Sequence, residues 1–231
     1  MKSIIITGAG GNLGRAVTNE LAKEYRLQAT LGLGEDAGFF TNHPDKLNIQ
    51  TEFVNLSDEA ACEFYLKKVI NYGDVIEAAI LLVGGWQGSG LEDTHLADLD
   101  KMIKLNFVTA FNVVKPLIDY FKRVGKGRFI FIGARPAISP GEAKDQFAYA
   151  ISKSMVMKMA EIINQTCFAF NIQAHVLVPS ILVTPQNKAS MPNANPADWV
   201  QPEHIAQSIR FLLSDAGNNF RDTILKIYNK A

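Results

Sequence analysis

Tyr149 and Lys153 stand four residues apart in the stretch Tyr149-Ala150-Ile151-Ser152-Lys153. On a helix, residues i and i+4 share one face. A phenol ordinarily titrates near 10, about three units above neutral pH. A nearby ammonium favours the phenolate and lowers that value. A phenol so tuned can give a proton to an atom that receives hydride, or take one in the reverse direction. The same two residue types also occur together on an ordinary solvent-facing helix turn, and spacing alone does not separate the two readings.

A second chemistry-bearing segment lies near the start of the chain. Thr7-Gly8-Ala9-Gly10-Gly11-Asn12-Leu13-Gly14 follows the β-branched run Ile4-Ile5-Ile6 and precedes a stretch of helical spacing. Strand, glycine turn and helix in that order are the context of a dinucleotide fingerprint. Glycines let the backbone approach a pyrophosphate, and the helix N-terminus offers unpaired N–H groups and a positive dipole end. A tight turn with no ligand has the same local composition; the context favours a nucleotide. A ribose-binding acid is expected about 20 residues on. That stretch reads Leu31-Gly32-Leu33-Gly34, with acids only at Glu35-Asp36 and no arginine. Arg15 follows the turn. NADH and NADPH both stay open.

These groups need a scaffold. Strands are expected at Ile4–Ile6, Leu27–Leu33, Phe53-Val54, Val75–Val83, Arg128–Ile132, Ala174–Val178 and Thr223–Tyr228. Helical spacing covers Arg15–Tyr25, Glu59–Ile70, Leu99–Val124 (with Pro116 as a possible kink), Phe147–Phe168 and Pro202–Leu213. Such alternation predicts an α/β fold, a doubly wound parallel sheet with helices on both faces. Ligands in such sheets bind at the carboxyl ends of the strands, where both motifs fall. The segment Thr184–Gln201, with Pro185, Pro192 and Pro196, is read as a long loop and a candidate lid.

Composition narrows the function classes. The 231 residues are 48% hydrophobic and 20% charged, which describes a globular chain of one domain, 1–231. Lys+Arg (23) balances Asp+Glu (23), so no bulk charge draws the chain to nucleic acid or to an anionic membrane. The expected partner is a small-molecule substrate. Cys62 and Cys167 fit no disulfide framework or zinc site. His43, His95, His175 and His204 show no metal spacing, and a nucleophile elbow and a Walker lysine are both absent. No apolar run approaches the roughly 18 residues of a membrane span, and the first apolar run is too short for a signal-peptide core. A cytoplasmic location is expected.

The chain resembles the short-chain dehydrogenase/reductase family over essentially its whole length. Thr7, Gly8 and Gly14 meet the pattern T-G-x-x-x-G-x-G, with Asn12 where the middle glycine is usual and Gly11 one residue earlier. Tyr149 and Lys153 match Y-x-x-x-K. Asn106 matches the helix asparagine that holds a proton-relay water. Pro179 to Thr184 matches P-G-x-x-x-T, with Ser180 for glycine. Asn55-Leu56 falls where Asp-Val touches the adenine. The resemblance implies a Rossmann-type fold and NADH or NADPH as cofactor. It implies Tyr149, Lys153 and Asn106 as the catalytic set. Gly8, Gly11, Asn12, Leu13, Gly14, Asn55, Leu56, Gly84, Gly85, Lys153, Pro179 and Thr184 would hold the cofactor. A homodimer or homotetramer is implied too, through the two long helices.

Two departures stand out. Leu82-Val83-Gly84-Gly85-Trp86 replaces N-N-A-G, and Gly133-Ala134-Arg135-Pro136 replaces the segment that carries the family serine, with Ala134 in the serine's place and Ser139 nearby. Both are similar to the dihydropteridine reductase subgroup, with its G-G-W-x-G-G and G-A-K stretches. Thr184-Pro185-Gln186-Asn187-Lys188-Ala189-Ser190-Met191-Pro192, with Trp199 and Pro202 beyond, is similar to that subgroup's T-P-x-N-R-K-x-M-P…W-x-P loop. That subgroup keeps an acid after the second strand and lacks an asparagine matching Asn106. The implied activity is reduction of a quinonoid dihydropteridine-like heterocycle, with Trp86 and Ala134 at the substrate. An ordinary alcohol or ketone substrate and a non-catalytic nucleotide sensor are the alternatives.

Overall fold

The computed structural model describes residues 2–230. Strand β1 (Ser3–Thr7) carries Ile4, Ile5 and Ile6, all fully buried. β-Branched side chains suit a strand covered on both faces. Six further strands follow: β2 (Arg26–Leu31), β3 (Ile49–Phe53), β4 (Ile76–Leu81), β5 (Gly127–Ile132), β6 (Ile172–Pro179) and β7 (Ile224–Ile227). All pair in parallel, in the order β3-β2-β1-β4-β5-β6-β7. The order reverses between β1 and β4, which opens a crevice at their carboxyl ends.

The helices are α1 (Asn12–Leu21), α2 (Gly38–Thr41), α3 (Glu59–Asn71), α4 (Leu96–Ile103), α5 (Thr109–Val124), α6 (Pro140–Ala143), α7 (Phe147–Thr166), α8 (Pro185–Ser190) and α9 (Pro202–Leu213). Strand periodicity sorts the core onto two faces. Ile4, Ile6, Ala78, Ile80 and Leu177 meet Val17 and Leu21 of α1 and Ile205 and Ile209 of α9. Ile5, Ala79, Leu81, Phe129 and Phe131 meet Leu66 of α3, Leu117 of α5 and Val156 and Ala160 of α7. Crossover helices thus cover both faces, as expected.

Several boundaries differ from the sequence reading. The third strand ends at Phe53 instead of starting there. It is the sheet edge, and the polar residues Gln50, Thr51 and Glu52 separate Ile49 from Phe53, so the strand shows no apolar run in sequence. β2 stops at Leu31, before Gly32. The helix expected over Leu99–Val124 starts at Leu96 and contains a π turn over Lys104–Val108. A π turn inserts one extra residue into a helix and often marks a functional position. The expected loop after β6 holds α8 and a 3-10 turn at Pro196–Asp198. A bridge between Leu182 and Val200 closes it, and Trp199 is buried beneath it. Among the described residues, no helix is long and apolar enough to cross a membrane.

Candidate active site

Helix α7 starts at the carboxyl end of the sheet and places Tyr149 and Lys153 one turn apart. Lys153 is buried, and its Nζ donates to the carbonyl of Ile132, the last residue of β5, at 2.8 Å. A Cβ added at Gly84 would lie 3.1 Å from that Nζ and 2.7 Å from Asn106 Oδ1. Lys153, Asn106 and the loop after β4 therefore converge on one point, and only a glycine fits between them.

Asn106 sits in the π turn and is fully engaged. Its Oδ1 accepts from Gly85 N at 2.9 Å, and its Nδ2 donates to Gly85 O at 3.1 Å and to Ser152 Oγ at 2.9 Å. Ser152 Oγ in turn donates to Tyr149 O at 2.8 Å. This chain of bonds ties the β4 loop, the π turn and α7 together. Ser152 was not singled out by sequence reasoning; its position one residue before Lys153 was the available signal.

The Tyr149 hydroxyl makes no hydrogen bond among the described residues, although the residue is partly buried. Burial pushes its pKa up to about 12 and brings that of Lys153 down to about 8. The expectation that Lys153 lowers the phenol is therefore not met in the chain alone. The ammonium is drawn to Ile132 O, and desolvation dominates both groups.

At the other side of the crevice lies the glycine turn. Gly8 has φ +66°, a left-handed conformation that favours glycine. A Cβ at Gly14 would fall 2.3 Å from Gly8 O, so α1 lies directly on the turn. Gly11 precedes α1, and no side chain caps its first N–H groups. Asn12 Nδ2 donates to Gln186 Oε1 at 3.0 Å, joining the turn to α8. Leu13 packs its side chain against the core, so only its backbone faces the turn. A cavity of about 490 Å³ adjoins Gly8 and is lined by Gly32, Asn55, Leu56 and Val83. Pro179 ends β6, and Thr184 caps α8 by accepting from Asn187 N at 3.1 Å. Ser180 Oγ, between them, is buried with no partner among the described residues. The open helix N-terminus, the largely apolar cavity and this orphaned hydroxyl fit an elongated phosphorylated ligand lying along the strand ends.

Trp86 is 66% exposed yet held at two edges. Its Nε1 donates to Gln146 Oε1 at 2.7 Å, and its ring lies where a Cβ on Gly88 would come within 2.7 Å. Gln146 Nε2 donates to Glu142 O at 2.8 Å, which fixes the amide. Gln146 escaped the sequence reading, since a glutamine just before a helix carries no special signal. Ala134 is buried after β5 and offers no hydroxyl. Ser139 sits at the start of α6, beyond the 3-10 turn Arg135–Ala137, and no hydrogen bond joins its hydroxyl to Tyr149 or Lys153. Among the described residues, no group of three His, Cys, Asp or Glu could hold a metal ion.

The model of the short chain dehydrogenase family matches residues 2–195. The 3-oxoacyl-[acyl-carrier-protein] reductase FabG of Thermotoga maritima is 23% identical, covering 98% of this chain and 96% of the relative. Levodione reductase of Leifsonia aquatica is 21% identical over 97% of this chain and 91% of its own length. Among solved structures, ElxO with NADP bound superposes with a TM-score of 0.88 at 19% identity, covering 98% of this chain and 96% of that one. At that identity the likeness shows the fold, a parallel sheet flanked by helices. The family match covers most of the sequence and ends within the loop that carries α8. The chain belongs to the short chain dehydrogenase family.

Proposed function

We propose that the protein is an NAD(P)H-dependent reductase in which Tyr149 is the proton donor. The observation that carries this reading is an unbonded phenol on α7, one turn from a buried lysine whose Nζ and the Asn106 amide oxygen both border the space beside Gly84. The nicotinamide, when bound, supplies the hydride. Gly8, Gly11, Gly14 and the backbone of Asn12 and Leu13 would hold the phosphates. Asn55, Leu56, Gly84, Gly85, Pro179 and Thr184 would flank the rest. At neutral pH the Tyr149 phenol is protonated, as a phenol is even at its ordinary pKa, and that is the form a proton donor needs. After donation, the Lys153 ammonium, one turn on along the same helix face, would favour the phenolate. Asn106 positions α7 against the β4 loop through its bonds to Gly85 and Ser152.

The substrate class that suits the site best is a quinonoid dihydropteridine-like heterocycle. Ala134 leaves the phenol without a companion hydroxyl, and a conjugated ring protonated at nitrogen needs no second donor. Trp86, pinned by Gln146 and largely exposed, suits a flat ring. The second reading, an ordinary ketone or alcohol, is favoured by the names of the relatives, which include levodione reductase and D-beta-hydroxybutyrate dehydrogenase. We also propose a homodimer or homotetramer, supported by Phe111 of α5 and Ile151 and Ile162 of α7, all exposed. The deciding experiment is a rate assay with NADH and NADPH against quinonoid dihydropterin generated in situ, beside levodione and a 3-oxoacyl thioester. Turnover of the pterin supports the first reading. Turnover of carbonyl compounds alone replaces it with the second.

A further inference from the structure

The end of β2 carries no acid, and yet a carboxylate stands there. Gly34 adopts φ +85°, and the chain reverses so that Glu35 N donates to Gly32 O at 3.1 Å. Gly32 N then donates to Glu35 Oε2 at 2.8 Å. A Cβ added at Gly32 would lie 3.4 Å from Glu35 Cδ, and one added at Gly10 would lie 2.4 Å from Oε2. The carboxylate thus bridges the gap between the glycine turn and the strand end. It occupies the place that an acidic side chain on residue 32 would fill.

We infer that Glu35 is the residue that selects the dinucleotide, and that it selects NADH over NADPH. The inference rests on the dinucleotide reading above. In a doubly wound sheet the adenosine ribose lies between the first glycine turn and the end of the second strand. A carboxylate there accepts hydrogen bonds from an unmodified ribose and repels a 2′-phosphate. Arg15, the cation beside the turn, is spent on the turn's own backbone and a ring: its Nε donates to Gly10 O at 3.0 Å, and its guanidinium lies 5.2 Å from the centre of the Phe39 ring. Lys101 and Lys104 line the same cavity as Gly32 but come from α4 and the π turn, whereas the Glu35 carboxylate accepts from Gly32 N itself. Lys101 also donates to Gln87 Oε1 at 3.1 Å.

The test is a binding titration of the full chain with NADH and with NADPH, followed by quenching of tryptophan fluorescence and needing no substrate. The expected result is a Kd for NADH at least about tenfold lower than for NADPH. Glu35→Gln, on an exposed turn, is expected to cut that ratio by about tenfold while leaving the melting temperature unchanged. The double variant Glu35→Ala with Gly32→Asp is expected to restore it. Gly32 is not in the left-handed region, and the three atoms nearest its added Cβ all belong to Glu35. A wild-type preference for NADPH, equal affinities, or a ratio unmoved by Glu35→Gln would each overturn the assignment while leaving the reductase reading intact. Failure to bind either dinucleotide would remove both.

Discussion

Asn106 Nδ2 lies 2.9 Å from Ser152 Oγ, and this contact joins the π turn to the helix that carries Tyr149 and Lys153. Both residues are buried. Removing the amide leaves Gly85 N–H and C=O and the Ser152 hydroxyl short of a partner, and an unsatisfied buried polar group costs about 1–3 kcal/mol. Asn106→Ala should therefore destabilise the chain by about 1–3 kcal/mol in urea unfolding. Ser152→Ala should cost less, because Asn106 keeps both bonds to Gly85.

Tyr149→Phe removes one unbonded oxygen and leaves the ring. Stability and dinucleotide binding should be retained, while turnover falls by about two or more orders of magnitude. Steady-state kinetics with cofactor binding measured alongside checks this. Undiminished turnover would refute the proton-donor role.

The two buried groups make opposite contributions to stability against pH. The Lys153 pKa falls from its ordinary 10.5 to about 8 on folding. Between those values the unfolded chain holds a proton that the folded chain lacks, so stability rises with pH. The Tyr149 pKa rises from its ordinary 10.0 to about 12. Between these values the folded chain keeps a proton that the unfolded chain loses, so stability falls. Lys153→Met should flatten the rise between pH 8 and 10, and Tyr149→Phe should soften the fall above 10. Urea unfolding from pH 7 to 11, read as variant minus wild type, checks both. The difference cancels Cys62 and Tyr65, whose burial also raises their pKa values.

Gln146→Leu should free Trp86 without touching the reacting groups. The indole N–H loses its acceptor, and the ring gains freedom over Gly88. If Trp86 receives the substrate, KM for a planar substrate rises several-fold while kcat and cofactor Kd stay near wild type. A fall in kcat with KM unmoved would show instead that Gln146 serves the start of α7. Trp86 fluorescence should broaden and shift red in the variant.

The order of strands and helices was legible in the sequence, because burial on two faces imposes continuous apolar strands and helical apolar stripes. The glycine turn was legible too, since the close approach of α1 at Gly14 allows only one residue type. So was the Tyr149–Lys153 pair, whose spacing places both side chains on one helix face. Three features came only from the folded chain. The π turn around Asn106 depends on contacts with Gly85 and Ser152, which are 21 and 46 residues away. The pKa directions of Tyr149 and Lys153 follow from desolvation, which sequence spacing does not encode. The carboxylate at the end of β2 arrives through a chain reversal at Gly34, so it is displaced in sequence but not in space. Local patterns declare what an element is made of, whereas the electrostatics of a site depend on which distant groups the packed sheet brings within a few ångströms.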